Sequence, residues 1–270
     1  MPLAHPGRLL HPRRLLHLGL ACLALLGLSA GCRVEAEGSQ PLVVFAAASL
    51  GAPFEELARQ FEEENPGEEV LVHTAGTPQL LLQLRQGARA DVLATADLES
   101  LDSLRASGME LQPTVFARNH LAILTQEGNP HALAGPSDLQ DPELRVLLCG
   151  PEVPAGRYAR AALERAGVVP RSLSDEPSVR ALTAKLSLGE VDAAIAYVTD
   201  VRAGLEALPL APELDPGIAY PICVLGEAPS LAPSLAPSVA PSVARARAFV
   251  DHVLSSAGQS VLRRHGFLQP

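Results

Sequence analysis

Leu42-Val43-Val44-Phe45-Ala46-Ala47-Ala48-Ser49-Leu50 opens the folded part of this 270-residue chain. Its first five residues are apolar without alternation, the pattern of a strand buried on both faces. Small residues follow, and then the period changes. Leu50, Phe54, Leu57, Ala58 and Phe61 recur at helical spacing until Asn65-Pro66-Gly67 stops them. The same strand-then-helix unit repeats along the chain. Val70-Leu71-Val72 leads to a helix carrying Leu80, Leu81 and Leu84 and closed by Gly87, and Asp91–Thr95 reads as a third strand. Further on, Leu121–Leu124, Val146–Cys149, Ala193–Tyr197 and Tyr220–Leu225 read as strands, with Pro221 favouring an edge or a strand start. Tyr158–Gly167, Val179–Leu188 and a last segment from about Ala244 to Ser255 read as helices. Strands alternating with helices predict an α/β protein whose parallel sheets are covered on both faces.

Outward from this core, residues 1–31 read as an export signal. Arg8, Arg13 and Arg14 precede the apolar run Leu15–Leu28, which holds no acidic residue and ends in Ser29-Ala30-Gly31-Cys32. The run is short for a bilayer span. Small residues before a cysteine mark cleavage and lipid attachment at Cys32, with residues 32–40 as a polar tether, so the protein is expected outside the cytoplasm, anchored to a membrane by lipid. Without the three leader arginines the formal charge falls from −9 to −12. An acidic surface with no basic block argues against nucleic acid as a partner. The remaining 239 residues suit two lobes of ordinary domain size. Export permits a Cys149–Cys223 disulfide; two buried thiols are the other reading, and the sequence leaves both open. Residues 228–243 are four tandem Ala-Pro-Ser-Leu/Val repeats, whose proline at every fourth position predicts an extended or turn-rich surface insertion.

The chemistry gathers at helix starts. Ser49 stands where the first helix begins, with Pro53 in its first turn. Thr77 precedes Pro78, Val153-Pro154-Ala155-Gly156 follows the strand ending at Cys149, and Pro177-Ser178-Val179 opens a fourth helix. Ser and Thr suit the cap, and proline suits the first helical position. Unpaired N–H groups and the positive end of the helix dipole make each start an anion site. In α/β sheets such starts collect beyond the carboxyl ends of the strands, where ligands bind. One start alone is a cap; four shared between two α/β halves point to an oxyanion cleft.

Four stretches then resemble a known family: Val44-Phe45-Ala46-Ala47-Ala48-Ser49-Leu50; Gly87-Ala88-Arg89-Ala90-Asp91-Val92 with Ala96-Asp97; Pro151-Glu152-Val153-Pro154-Ala155-Gly156-Arg157-Tyr158-Ala159; and Gly258-Gln259 with His265-Gly266-Phe267. Over residues 42–268 the chain resembles the periplasmic molybdate-binding proteins of ABC importers. The resemblance implies a type II periplasmic-binding-protein fold, with residues 41–118 and 219–270 in lobe 1 and 119–218 in lobe 2. The chain would cross the hinge near Arg118-Asn119 and near Ala219-Tyr220. It implies molybdate or tungstate held by Ser49, Thr77, Ala155, Val179 and Tyr197, through oxygens rather than a bare metal ion. Thr77 falls where many members have serine, keeping the hydroxyl and adding a methyl. An ABC permease and a membrane are the implied partners, with a monomeric protein and no cofactor. Arg157 and Arg180, next to proposed contacts, read as solvated or sheet-packing side chains.

Neutral fixed donors suffice for a dianion, because hydrogen bonds to charged groups are the stronger kind. Salt screens the acidic surface beyond about 8 Å. An enzyme is disfavoured: Ser49, His73 and Asp91 have the residue types of a hydrolase triad, but no Gly-x-Ser-x-Gly surrounds Ser49. His73, His120, His131, His252 and His265 show no metal-ligand spacing. The remaining alternatives are a receptor of the same fold for sulfate or another solute, and an exported sensor without a transporter.

Overall fold

The computed structural model describes residues 40–169, 172–226 and 236–270. The export signal, Cys32 and most of the tether lie outside the described residues, as does the repeat up to Leu235.

Chain order is β1 (Leu42–Ala47), α1 (Gly51–Glu64), β2 (Val70–Ala75), α2 (Thr77–Arg85), β3 (Val92–Ala94), α3 (Glu99–Arg105) and β4 (Thr114–Asn119). Then come β5 (Leu121–Gln126), β6 (Val146–Cys149), α4 (Pro154–Arg165), β7 (Ser172–Glu176), α5 (Val179–Ser187), β8 (Ala193–Tyr197) and β9 (Leu205–Pro209). The chain ends with β10 (Ile218–Val224), α6 (Ala236–Leu254) and α7 (Ser256–Arg264). Two five-stranded sheets result, ordered β2-β1-β3-β10-β4 and β7-β6-β8-β5-β9, one in each lobe. The chain leaves the first sheet at the end of β4, enters the second at Leu121, and returns between Pro209 and Ile218. Ala219 and Tyr220 lie inside β10, paired to Arg118 and Ala117 of β4.

The sheets are mixed rather than parallel. β1 runs parallel to β2 and β3, but β10 is antiparallel to β3 and β4, and β5 is antiparallel to β8 and β9. The reason is the double crossing. β5 and β10 enter their sheets directly from the other lobe rather than through a helix packed on their own sheet, so no crossover turns them parallel. Pro221 sits neither at an edge nor at a start. It lies in the interior strand β10, where the register to β4 shifts between Tyr220 and Pro221. A bulge is one of the few places where a strand accommodates a residue without an N–H.

Both faces of the first sheet are covered, as the unalternating strands predict. Val44 and Ala46 of β1, Val92 and Ala94 of β3, and Ile222 of β10 join the main core. Phe45, Leu93 and Cys223 point the other way, against Leu80 and Leu81 of α2 and Leu101 and Leu104 of α3. In the main core Phe54 meets Phe116 edge-on at 5.6 Å, and Phe61 meets Phe249 at 5.4 Å. Such pairs add about 0.5–1.5 kcal/mol each beyond burial, and here they tie α1 to β4 and to α6.

The second half of the proline repeat departs from the extended reading, because α6 begins at Ala236 and takes in Pro237 and Pro241. Pro237 falls in the first turn, where an N–H has no intrahelical partner. Pro241 removes one helical bond, and the apolar face further along, with Ala246, Phe249 and Val253 buried, anchors the rest. Cys149 of β6 and Cys223 of β10 lie in different sheets, and no disulfide joins them.

Candidate functional site

Ser49, Thr77, Ala155, Val179 and Tyr197 all line one small cavity between the lobes. Ser49 lies in a one-turn 3-10 segment, Ala48–Leu50, that joins β1 to α1. Thr77 opens α2, Ala155 is the second residue of α4 behind Pro154, Val179 opens α5, and Tyr197 closes β8. Its enclosed volume is only ≈ 10 Å³, about one water-sized sphere and far below the ~300–1,000 Å³ that holds organic ligands. Its remaining walls are Ala, Gly, Pro, Val and Ser178.

Caps and ligands separate in a way the sequence did not anticipate. Gly76, not Thr77, caps α2, which puts Thr77 and Pro78 at its first two positions. Thr77 therefore has no capping duty. Its hydroxyl is buried and has no hydrogen-bond partner, and the Tyr197 phenol is in the same condition. The two other buried side-chain atoms without a hydrogen-bond partner among the described residues belong to Arg245 and His252, which are already ion-paired to Glu68 and Glu64. A buried unsatisfied polar group costs about 1–3 kcal/mol. Two of them, one from each lobe, facing one cavity are what a ligand site requires. Burial holds the Tyr197 phenol well above its ordinary range, with the acidic groups around it adding to the effect, so it stays protonated as a donor. Ser178 does cap: its hydroxyl accepts the Ala181 N–H at 3.2 Å. Ala155 and Val179 belong to first helical turns, whose N–H groups have no intrahelical acceptor.

The lobes touch around this cavity. A side chain at Gly76 would put its Cβ 2.1 Å from the Pro177 carbonyl oxygen, so only glycine allows this approach. Arg157 of α4 is neither solvated nor packed on its own sheet. It reaches across to the first lobe, pairing with the buried Asp97 carboxylate and, at 3.3 Å, with Glu99. Arg180 lines a neighbouring pocket of ≈ 920 Å³, which includes open solvent and shares Ala48 and Ser49 with the cavity.

Behind Ser49 lies a buried network at the hinge. Ser49 Oγ is 3.3 Å from the Tyr220 hydroxyl. Asn119 Nδ2 donates to the Tyr220 oxygen at 3.3 Å and to Thr199 Oγ1 at 2.8 Å, and Asn119 Oδ1 accepts the His120 N–H at 2.9 Å. Asp200 is buried beside Tyr197, whose N–H donates to it at 3.1 Å; burial raises its pKa to about 7. The imagined triad does not assemble: His73 pairs with Gln83, while Asp91 accepts the Val43 N–H and pairs with Arg89. The sequence reading gave Asn119, Tyr220, Asp97 and Asp200 no place at the site, meeting Asn119 and Tyr220 only as hinge markers and Asp97 only within a family motif. An asparagine at a strand end and a tyrosine within a strand carry no pattern that marks them as neighbours of Ser49.

A family model for bacterial extracellular solute-binding proteins matches residues 42–268. The chain belongs to that family. Within it, the chain is 35% identical over 238 residues to the molybdate-binding protein ModA of Mycobacterium tuberculosis (strain ATCC 25618 / H37Rv), covering 87% of each chain. It is 26% identical over 252 residues to ModA of Escherichia coli (strain K12), covering 88% of this chain and 92% of that one. Among solved structures, the Azotobacter vinelandii periplasmic molybdate-binding protein superposes with a TM-score of 0.64 at 19% identity, over 85% of this chain and 99% of that one. The sulfate-binding protein SubI from Mycobacterium tuberculosis H37Rv superposes with a TM-score of 0.71 at 15% identity, over 85% and 86%. At those identities the two structures speak to the solute-binding fold alone: two α/β lobes, a hinge and a cleft between them.

Proposed function

We propose that this protein captures molybdate, or the isosteric tungstate, outside the cytoplasm and delivers it to the permease of an ABC importer. The observation that carries the reading is the pair of buried, unpartnered hydroxyls on Thr77 and Tyr197, which face one small cavity from opposite lobes. With the Ser49 hydroxyl and the N–H groups at Ala155 and Val179, they offer a tetrahedral dianion five neutral donors. The 35% identity to a molybdate-binding relative supports the choice of cargo. No bond is made or broken, so the protein works as a receptor rather than an enzyme, without a cofactor and as a monomer. Export by residues 1–31 and lipid attachment at Cys32 would hold it at a membrane.

Titration calorimetry with molybdate, tungstate, sulfate and phosphate tests the cargo. Heat is expected from molybdate and tungstate at micromolar protein. Uptake of sulfate alone would reassign the cargo, and no heat from any of the four would end the oxyanion reading. Labelling with palmitate that persists in a Cys32→Ala variant would refute the anchor.

A further inference from the structure

We infer that Asn119 and Tyr220 are positioning residues that set the direction of the Ser49 hydroxyl, forcing it to donate into the cleft and so tuning the site to an oxyanion that carries no proton. The inference rests on the oxyanion reading of the cleft.

The direction follows from which atoms can only donate. The His120 backbone N–H has no lone pair to offer, so the Asn119 atom it meets must be the carbonyl oxygen. That assigns the amide orientation and leaves Nδ2 on the other side. Its two hydrogens are both used, one on Thr199 Oγ1 and one on the Tyr220 oxygen. Tyr220 therefore receives from Asn119 and keeps one hydrogen to give. The phenol is fully buried, and burial pushes its pKa up, so the hydrogen stays on it. Ser49 Oγ is the acceptor beside it. If Ser49 donated to Tyr220 instead, the phenolic hydrogen would be buried without a partner. Ser49 thus accepts from behind, and its own hydrogen is released toward the cavity that it lines with Thr77 and Tyr197.

A ligand oxygen at Ser49 must then accept. A bare oxygen of a dianion does. A protonated oxygen would leave the Ser49 hydrogen and the ligand hydrogen facing each other. The relay begins at the end of β4, where the chain changes lobes, and touches Thr199 of the second lobe, so it is built from the hinge itself.

Asn119→Asp reverses the relay. An aspartate accepts where Nδ2 donated, Tyr220 turns its hydrogen to it, and Ser49 then gives its hydrogen to Tyr220 and offers the ligand a lone pair. The full-length protein, Tyr220→Phe and Asn119→Asp are titrated with molybdate and with hydrogen phosphate at about pH 8, where both ligands are mainly dianions. Tyr220→Phe should weaken molybdate by about threefold to tenfold, the scale of one hydrogen bond. Asn119→Asp should lower the ratio of molybdate to hydrogen phosphate affinity about tenfold or more. The added negative charge repels both dianions alike, so it moves the affinities together and leaves the ratio to the relay. An unchanged ratio overturns the proposal.

A ligand-free arm keeps the two readings apart. In urea unfolding, Ser49→Ala and Tyr220→Phe should be non-additive, because either one breaks the same bond. Additive losses overturn the relay even if molybdate binds. If the wild-type protein takes up no oxyanion, the cargo reading fails, and the unfolding cycle alone decides the relay.

Discussion

Thr77→Val and Tyr197→Phe each remove a hydroxyl that nothing in the protein satisfies. Both variants should be as stable as the wild type or more so when ligand-free, because an unsatisfied buried group is deleted with little change of shape. Both should bind molybdate about tenfold or more weakly, since each loses a hydrogen bond to a charged ligand. Thermal unfolding and calorimetry on the same samples check this, and a destabilised variant with intact affinity would contradict the assignment. Asp200 makes a separate prediction. Burial raises its carboxyl from 3.8 to about 7, against the lowering effect of the Tyr197 N–H and the Arg202 charge. Between those values the folded chain holds a proton that the unfolded chain has released. The stability linked to Asp200 is therefore full below the unfolded value and is lost as pH rises through about 7. From about pH 5 to about pH 8 the urea midpoint should fall, by an amount equivalent to at most ~3 kcal/mol. Asp200→Asn, whose carboxamide oxygen still accepts the Tyr197 N–H, should abolish that fall.

At the level of elements, α4 carries both a donor end and a latch. Its first turn presents Ala155 to the cavity, and one residue beyond Gly156 the Arg157 side chain grips Asp97 and Glu99 of the other lobe. Glu99 is exposed and adds little; Asp97 is buried, and losing its partner leaves a charge without compensation. Arg157→Gln should speed molybdate release about tenfold or more while changing capture little, as stopped-flow displacement would measure. Equal release rates would leave Arg157 without a role in closure. The elements themselves were unevenly legible. α1, α4 and α5 announced themselves because their apolar stripes and stops are local. β4 and β9 did not, because much of their length is only partly buried or exposed and their pairing partners lie far along the chain. The helix over Pro237 and Pro241 was unreadable for a different reason: local proline rules argue against it, and the apolar face from Ala246 to Val253 outweighs them.

Over the whole molecule, two lobes and a double crossing make binding and closing one event. Donors on both lobes share one cavity, so a ligand favours the closed arrangement by its extra contacts there. Small-angle scattering should register compaction when molybdate saturates the wild type. Gly76→Ala should bind more weakly and compact less, because its Cβ would collide with the Pro177 carbonyl before the lobes meet. Full compaction of that variant would mean that the contact does not limit closure.

The sequence by itself determined the α/β class and the helix starts, and its family motifs implied the five candidate contacts. Each of these depends on short-range chemistry: apolar period, capping residues, proline in a first turn, and motifs a few residues long. Only the tertiary structure decided that Thr77 has no capping duty and keeps an unpaired hydroxyl, that the sheets are mixed, and that Arg157 bridges the lobes. It alone put Tyr220 behind Ser49, 171 residues away in the chain. The physical reason is the same each time. A hydroxyl's role is set by what remains unpaired around it after folding, and that depends on partners brought together by strands from both ends of the chain.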